Sequence, residues 1–192
     1  MEEPIPVLLE ERAAYLMDKP PAPSSGAKVF DTTQEKRVYL CHRPPEAEDP
    51  VPVTLMEPVF AQFVDDCQMY KPAEEDYRFV RMLSYEMSSF HHDEHQQMDM
   101  FRRRLSSYGI KLEAGAVGST RCVTDGHLTV ENFAVVIAEG KNEIGAGGND
   151  PFAQALMYYH HFIRNLESDK YNVARRRSVF PCFHIIVFGK FV

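Results

Sequence analysis

The chain has 192 residues, 44% of them apolar and 11% aromatic, which suits a globular domain with a real core and excludes a disordered protein. Its formal charge of −7 excludes a surface given over wholly to nucleic acid, so any such contact must be local; Arg102-Arg103-Arg104 and Arg175-Arg176-Arg177 are the basic clusters on offer. No apolar run nears the ~20 residues that span a bilayer, and the acidic start from Met1 to Pro4 reads as no secretory or transit signal.

Val7 to Asp18 repeats apolar positions at helical spacing. Lys19 to Gly26, rich in Pro and Ser, reads as a linker, Arg37 to Cys41 as a short extended piece, and Pro44 to Pro52 as a second loop. A helix is expected from Thr54 to about Tyr70, where Lys71-Pro72 breaks it. A longer helical stretch begins near Ala73. Phe79, Met82, Leu83, Met87 and Phe90 keep its period; Met98, Phe101 and Leu105 resume it, and Tyr108-Gly109 ends it. Between the two lies a histidine-rich link, His91 to His95.

After Lys111 the texture changes to glycines, β-branched residues and short apolar runs. Thr120 to Val123, Leu128 to Val130 and Phe133 to Ala138 read as strands. Asp150-Pro151 starts a helix, with Asp as N-cap and Pro at the first helical position, running to about Leu166. Phe183 to Gly189 is a last strand. Residues 1–70 thus read as a helical N-terminal extension with Pro-rich linkers. Residues 71–192 read as an α/β domain in the order helix, strands, helix, strand. Cys41, Cys67, Cys122 and Cys182 lack zinc-site spacing and read as free thiols of a reducing, intracellular compartment, nuclear or cytoplasmic.

The informative stretch is Ala138 to Tyr159. Glu139 and Lys141, two apart at the end of a strand, point to the same face. Asp125 precedes Glu139 by fourteen residues, a spacing that suits a hairpin partner strand. Two carboxylates brought together repel unless a cation sits between them, and Mg²⁺ or Mn²⁺ with oxygen ligands is the natural occupant. Such an ion polarises a phosphate and acidifies its bound water, while a neighbouring lysine orients that water and stabilises developing charge. The chemistry indicated is phosphodiester hydrolysis.

Asp125 with Glu139-Gly140-Lys141 resembles the signature of the PD-(D/E)xK restriction-endonuclease-like nucleases. Gln154 and Tyr158, neighbours on one helical face, are similar to the Gln-x-x-x-Tyr motif of the recombination-exonuclease branch. The fuller string through Glu143, Gly145, Gly147-Gly148 and Asp150-Pro151 is similar to nuclease-like domains of eukaryotic Crinkler-type effectors, and to fungal proteins in which such a domain precedes a kinase-like one. The resemblance covers roughly residues 73–190. It implies a mixed sheet flanked by helices and metal-dependent cleavage of nucleic acid, DNA before RNA. It implies Asp125, Glu139 and the Gly140 carbonyl on the metal, Lys141 on the attacking water, Glu143 assisting, and Gln154 with Tyr158 on the substrate strand. The N-terminus of their helix, with free amide donors, suits a phosphate. The middle residue of Glu-x-Lys is usually apolar, and Gly140 departs from that with unusual backbone freedom. A kinase-like segment after Val192 is a further expectation.

Each feature has a plainer reading. Glu139 and Lys141 also fit a solvent-facing ion pair, and the 145–148 loop fits a flexible turn as well as a phosphate cradle. Gln154 and Tyr158 fit a helix edge packed on the sheet. Glu86 stands where superfamily members place a metal-ordering acid, and equally on a solvated helix face. His91, His92 and His95 fit a polar helix junction better than zinc. For the whole chain, a binding module without efficient cleavage and an interaction scaffold stand beside the nuclease.

Overall fold

The computed structural model describes residues 14, 20–22, 27–36, 52–118, 120–141, 150–166 and 180–188. The helix expected over Val7 to Asp18 (apart from Ala14), the extended piece from Arg37 to Cys41, Glu143, the 145–148 glycines and the 175–177 arginines lie outside them.

Helix α1 (Ala27–Lys36) was not expected from its two threonines and sparse apolar residues. It is held by packing: Phe30 is buried against Ala153 and Met157. The single helix expected from Thr54 to Tyr70 is two, α2 (Val53–Met56) and α3 (Pro58–Met69). Glu57 between them is extended, because the residue before a proline is pushed out of the helical region. Neither α3 nor the next helix, α4 (Glu74–Met87), fully buries a residue. Phe60 and Phe63 of α3 rest on Phe183, with ring centroids 5.1 and 4.8 Å apart. No helix among the described residues is long and apolar enough to cross a membrane, and Cys67, Cys122 and Cys182 are free thiols.

Helix α5 (Glu94–Ser107) is capped by Asp93, whose carboxylate accepts from Gln96 N at 2.8 Å. It ends at Gly109, whose φ of +93° suits glycine alone. Three antiparallel strands follow: β1 (Glu113–Ala116), β2 (Val123–Val130) and β3 (Phe133–Lys141). β1 carries no large apolar residue, so its sequence does not announce it. The runs expected near 120–123 and 128–130 belong to one turn and one long strand. Glu131 and Asn132, both with positive φ, make the two-residue hairpin between β2 and β3. Helix α6 (Pro151–Arg164) then crosses over to β4 (Phe183–Phe188), which pairs parallel with β3.

The result is a four-stranded mixed sheet in the order β1-β2-β3-β4, flanked by helices. β3 is central and buried on both faces, which explains its near-continuous apolar run. On one face Val136 and Ala138 pack with Met98, Phe101 and Leu105 of α5, backed by Phe79 and Leu83 of α4. On the other, Ala134 and Ile137 pack with Ala155, Tyr158 and Phe162 of α6. The two polar residues at the end of β3 therefore emerge from a double-sided core.

Candidate active site at the end of the central strand

The structure brings Asp125 and Glu139 together on adjacent strands. Gly126 faces Ala138, so the next step along the antiparallel register sets Asp125 beside Glu139. On its other edge β2 is irregular. Glu113 faces His127 and Gly115 faces Thr124, so two steps of β1 span three of β2. The extra residue falls at Asp125-Gly126, and a bulge there re-aims the side chain that carries the first acid. The Asp125 carboxylate accepts from Gly140 N at 3.0 Å, and Asp125 N lies 3.4 Å from Glu139 Oε1.

Glu139 is wholly buried, so it is not one half of a solvent-facing ion pair. Burial, then the adjacent Asp125 carboxylate, push its pKa up to about 9. Its Oε2 is buried and has no hydrogen-bond donor among the described residues. Lys141 pairs elsewhere: its Nζ lies 2.7 Å from Glu94 Oε1 at the first turn of α5. That partner was missed in the sequence. Forty-seven residues separate the two, and only the docking of α5 on the sheet brings them together. Glu86, the helix acid singled out from the sequence, is instead tied to Arg104, whose Nε donates at 2.8 Å. That pair joins α4 to α5 and lowers the Glu86 pKa.

Helix α5 backs the site through one stripe at helical spacing. Glu94 holds Lys141, Met98 lies on Gly140, and Arg102 donates to the Asp125 carbonyl while pairing with Asp99. Gly140 has no positive φ, so backbone freedom is not its reason. A Cβ there would lie 2.5 Å from Met98 Sδ and 2.6 Å from Cγ, and Met98 is completely buried. The glycine makes room for the methionine. Arg102 and Arg104 of the first basic triplet are thus engaged within the protein.

On the α6 side, Tyr158 is buried in the core and its hydroxyl donates to the Val123 carbonyl. Gln154 Nε2 donates to the Tyr158 oxygen at 3.3 Å. Burial raises the Tyr158 pKa, with the charges of Glu139 and Asp125 adding to it. Gln154 Oε1 is buried without a donor among the described residues. The helix N-terminus is already capped: Asp150 Oδ1 accepts from Phe152 N at 2.8 Å and Ala153 N at 3.1 Å, so these two amides are not free for a phosphate.

His91 contacts the Glu86 carbonyl at the α4–α5 junction, and the exposed His95 contacts Asp99 one turn along α5. No group of three or more His, Cys, Asp or Glu among the described residues is placed to hold a metal. The donors that the structure brings together are the two carboxylates of Asp125 and Glu139, to which the resemblance adds the Gly140 carbonyl. That set fits a hard ion such as Mg²⁺ or Mn²⁺, which takes one or two carboxylates and completes its shell with water and phosphate oxygens. The orphaned Oε2 of Glu139 is the structural observation in favour of the fit. An apolar cavity of about 250 Å³ lies at the opposite end of β3, by the hairpin, lined by Phe133, Tyr159, Phe162 and Ile163. It shares no residue with the acidic pair. No family model matches this chain, and neither a curated protein nor a solved structure matches it.

Proposed function

We propose that this chain is a divalent-metal-dependent nuclease of restriction-endonuclease-like fold, hydrolysing phosphodiester bonds of nucleic acid, DNA before RNA. The observation that carries the reading is Glu139: a carboxyl wholly buried at the end of the central strand, beside Asp125, with one oxygen lacking a donor. Burying an acid in this way is costly and gives the fold nothing in packing. A cation shared with Asp125 accounts for it.

Asp125, Glu139 and the Gly140 carbonyl would hold Mg²⁺ or Mn²⁺. When bound, such an ion supplies Lewis acidity toward a phosphate oxygen and a more acidic water. Glu139 must first release the proton that burial makes it keep. Lys141, at the rim of the same strand, orients the attacking water and offsets charge developing on the phosphate. In the resting arrangement Glu94 neutralises Lys141 and holds its ammonium in place. Glu143 would assist from the segment after Lys141. Gln154 and Tyr158 stand on the α6 side of the acids.

The same ion pair favours a second reading, a nucleic-acid-binding module with little cleavage, because a lysine neutralised by Glu94 is a weaker electrostatic catalyst. One assay separates the two. Single- and double-stranded DNA and RNA are incubated with the chain in Mg²⁺ or Mn²⁺, beside Lys141→Ala. The nuclease reading expects cleavage that falls on the order of 10²–10³-fold in the variant. Cleavage equal in both is contamination or another mechanism. Binding without cleavage by the unsubstituted chain establishes the module.

A further inference from the structure

The hydrogen-bond directions on the α6 side determine which end of the Gln154 amide meets the site. Tyr158 has one hydroxyl proton, and it goes to the Val123 carbonyl. The tyrosine oxygen then has only lone pairs to offer its neighbour. The Gln154 group 3.3 Å away must be the donor end of the amide, Nε2, as observed. Flipping the amide would set Oε1 against the tyrosine oxygen, acceptor against acceptor. With Nε2 committed, Oε1 is left buried and without a donor among the described residues. Glu139 Oε2 is in the same condition. Both belong to the α6 side of the sheet. Tyr158 packs with Ile137, which precedes Glu139 by one strand repeat and so shares its face.

A phosphate oxygen is itself an acceptor, so Gln154 Oε1 cannot receive it. Two buried oxygens without donors can together receive a hard cation. We propose that Gln154 supplies its amide oxygen to the divalent-cation site of Asp125 and Glu139, and that Tyr158 is the positioning residue that fixes the amide in this sense. The inference rests on the nuclease reading of that site. It reverses the role that the Gln-x-x-x-Tyr resemblance implies, since Gln154 faces the metal and Tyr158 faces Gln154.

The test is calorimetric titration of Mn²⁺ into the full chain and into Gln154→Ala, Tyr158→Phe and the Asp125→Ala/Glu139→Ala double variant. Oligonucleotide binding in EDTA and the metal-free melting temperature are measured beside it. Expected are Mn²⁺ affinity about tenfold weaker in Gln154→Ala, the size of loss typical when a supporting oxygen is removed, and a smaller weakening in Tyr158→Phe. Oligonucleotide affinity in EDTA should hold in Gln154→Ala, and its melting temperature should hold or rise, because alanine removes an unsatisfied buried oxygen. Tyr158→Phe keeps the ring in the core, so it carries the test even if the alanine variant misfolds. Unchanged Mn²⁺ affinity in both single variants overturns the proposal, as does a loss confined to oligonucleotide binding. Mn²⁺ binding that depends on the two acids but not on Gln154 removes this proposal and leaves the nuclease reading standing. Mn²⁺ binding that ignores the two acids removes both.

Discussion

The two faces of the sheet treat the same strand end in opposite ways. On the α5 side the strand end is held in place: Lys141 reaches back to Glu94, Met98 fills the space over Gly140, and Arg102 grips the Asp125 carbonyl, although Gln97 Oε1 of the same helix is buried with no donor among the described residues. On the α6 face Glu139 Oε2 and Gln154 Oε1 are buried with no donor among the described residues. An unpaired buried polar atom costs about 1–3 kcal/mol, and on the α6 side one of the two belongs to the acidic pair itself. On the nuclease reading, α5 supports the strand end and the α6 side receives the cation. Substitutions on the closed face should therefore cost stability, and those on the open face should gain it while removing function.

The largest stability effect is expected on the closed face. Gly140→Ala places a methyl group within 2.6 Å of the Sδ and Cγ of Met98, which is fully buried. Overpacking of this kind costs about 3 kcal/mol. Chemical denaturation of Gly140→Ala, Met98→Ala and the double variant measures it. The double variant should be less destabilised than the sum of the two, because the clash vanishes when Met98 is shortened. Simple additivity would mean that Met98 does not dictate the glycine.

On the open face the sign reverses. An unfolded glutamate titrates near 4.5, while folded Glu139 titrates at about 9. Between those values the folded chain keeps a proton that the unfolded chain has released. The metal-free stability therefore falls as pH rises from the lower value to the higher and levels off beyond it. Glu139→Gln removes that dependence. At pH 7 in EDTA it should stabilise the chain by about 2 kcal/mol, and the gain should disappear near pH 4. The same substitution should abolish Mn²⁺ binding, a gain in stability at the expense of function. A variant less stable than the parent at pH 7 would show that Glu139 is satisfied and structural.

What the sequence made legible follows the same division. Asp125, Glu139 and Lys141 could be read because a strand alternates side chains and a hairpin spaces its partners, both local regularities. The α6 start could be read from Asp150-Pro151 for the same reason. The support could not. Glu86 and Glu94 are both acids on the helical stretch before the strands, and only the seating of α5 on the sheet decides which one reaches Lys141. β1 has no apolar pattern, and α1 exists because Phe30 finds α6. The bulge at Asp125-Gly126 depends on a register with β1 that no run of residues displays.

The smallest effect concerns the Lys141–Glu94 pair, which reaches solvent. The Lys141 side chain is 12% exposed and that of Glu94 is 35% exposed, so water screens part of their attraction. Glu94→Gln keeps the shape and removes the charge. It should cost at most about 1 kcal/mol in dilute buffer, and less in molar salt, where such pairs are screened. The functional consequence is more specific. The Lys141 ammonium also lies within electrostatic reach of Glu139. Its charge already acts to lower the Glu139 pKa, and freed from Glu94 it should do so more strongly. Because Glu139 must lose its proton to take a cation, Mn²⁺ binding should then begin at lower pH than in the parent. Calorimetry across a pH series decides the point. An unmoved onset would mean that Glu94 only fastens α5 to the sheet and that Lys141 does not sense the acids.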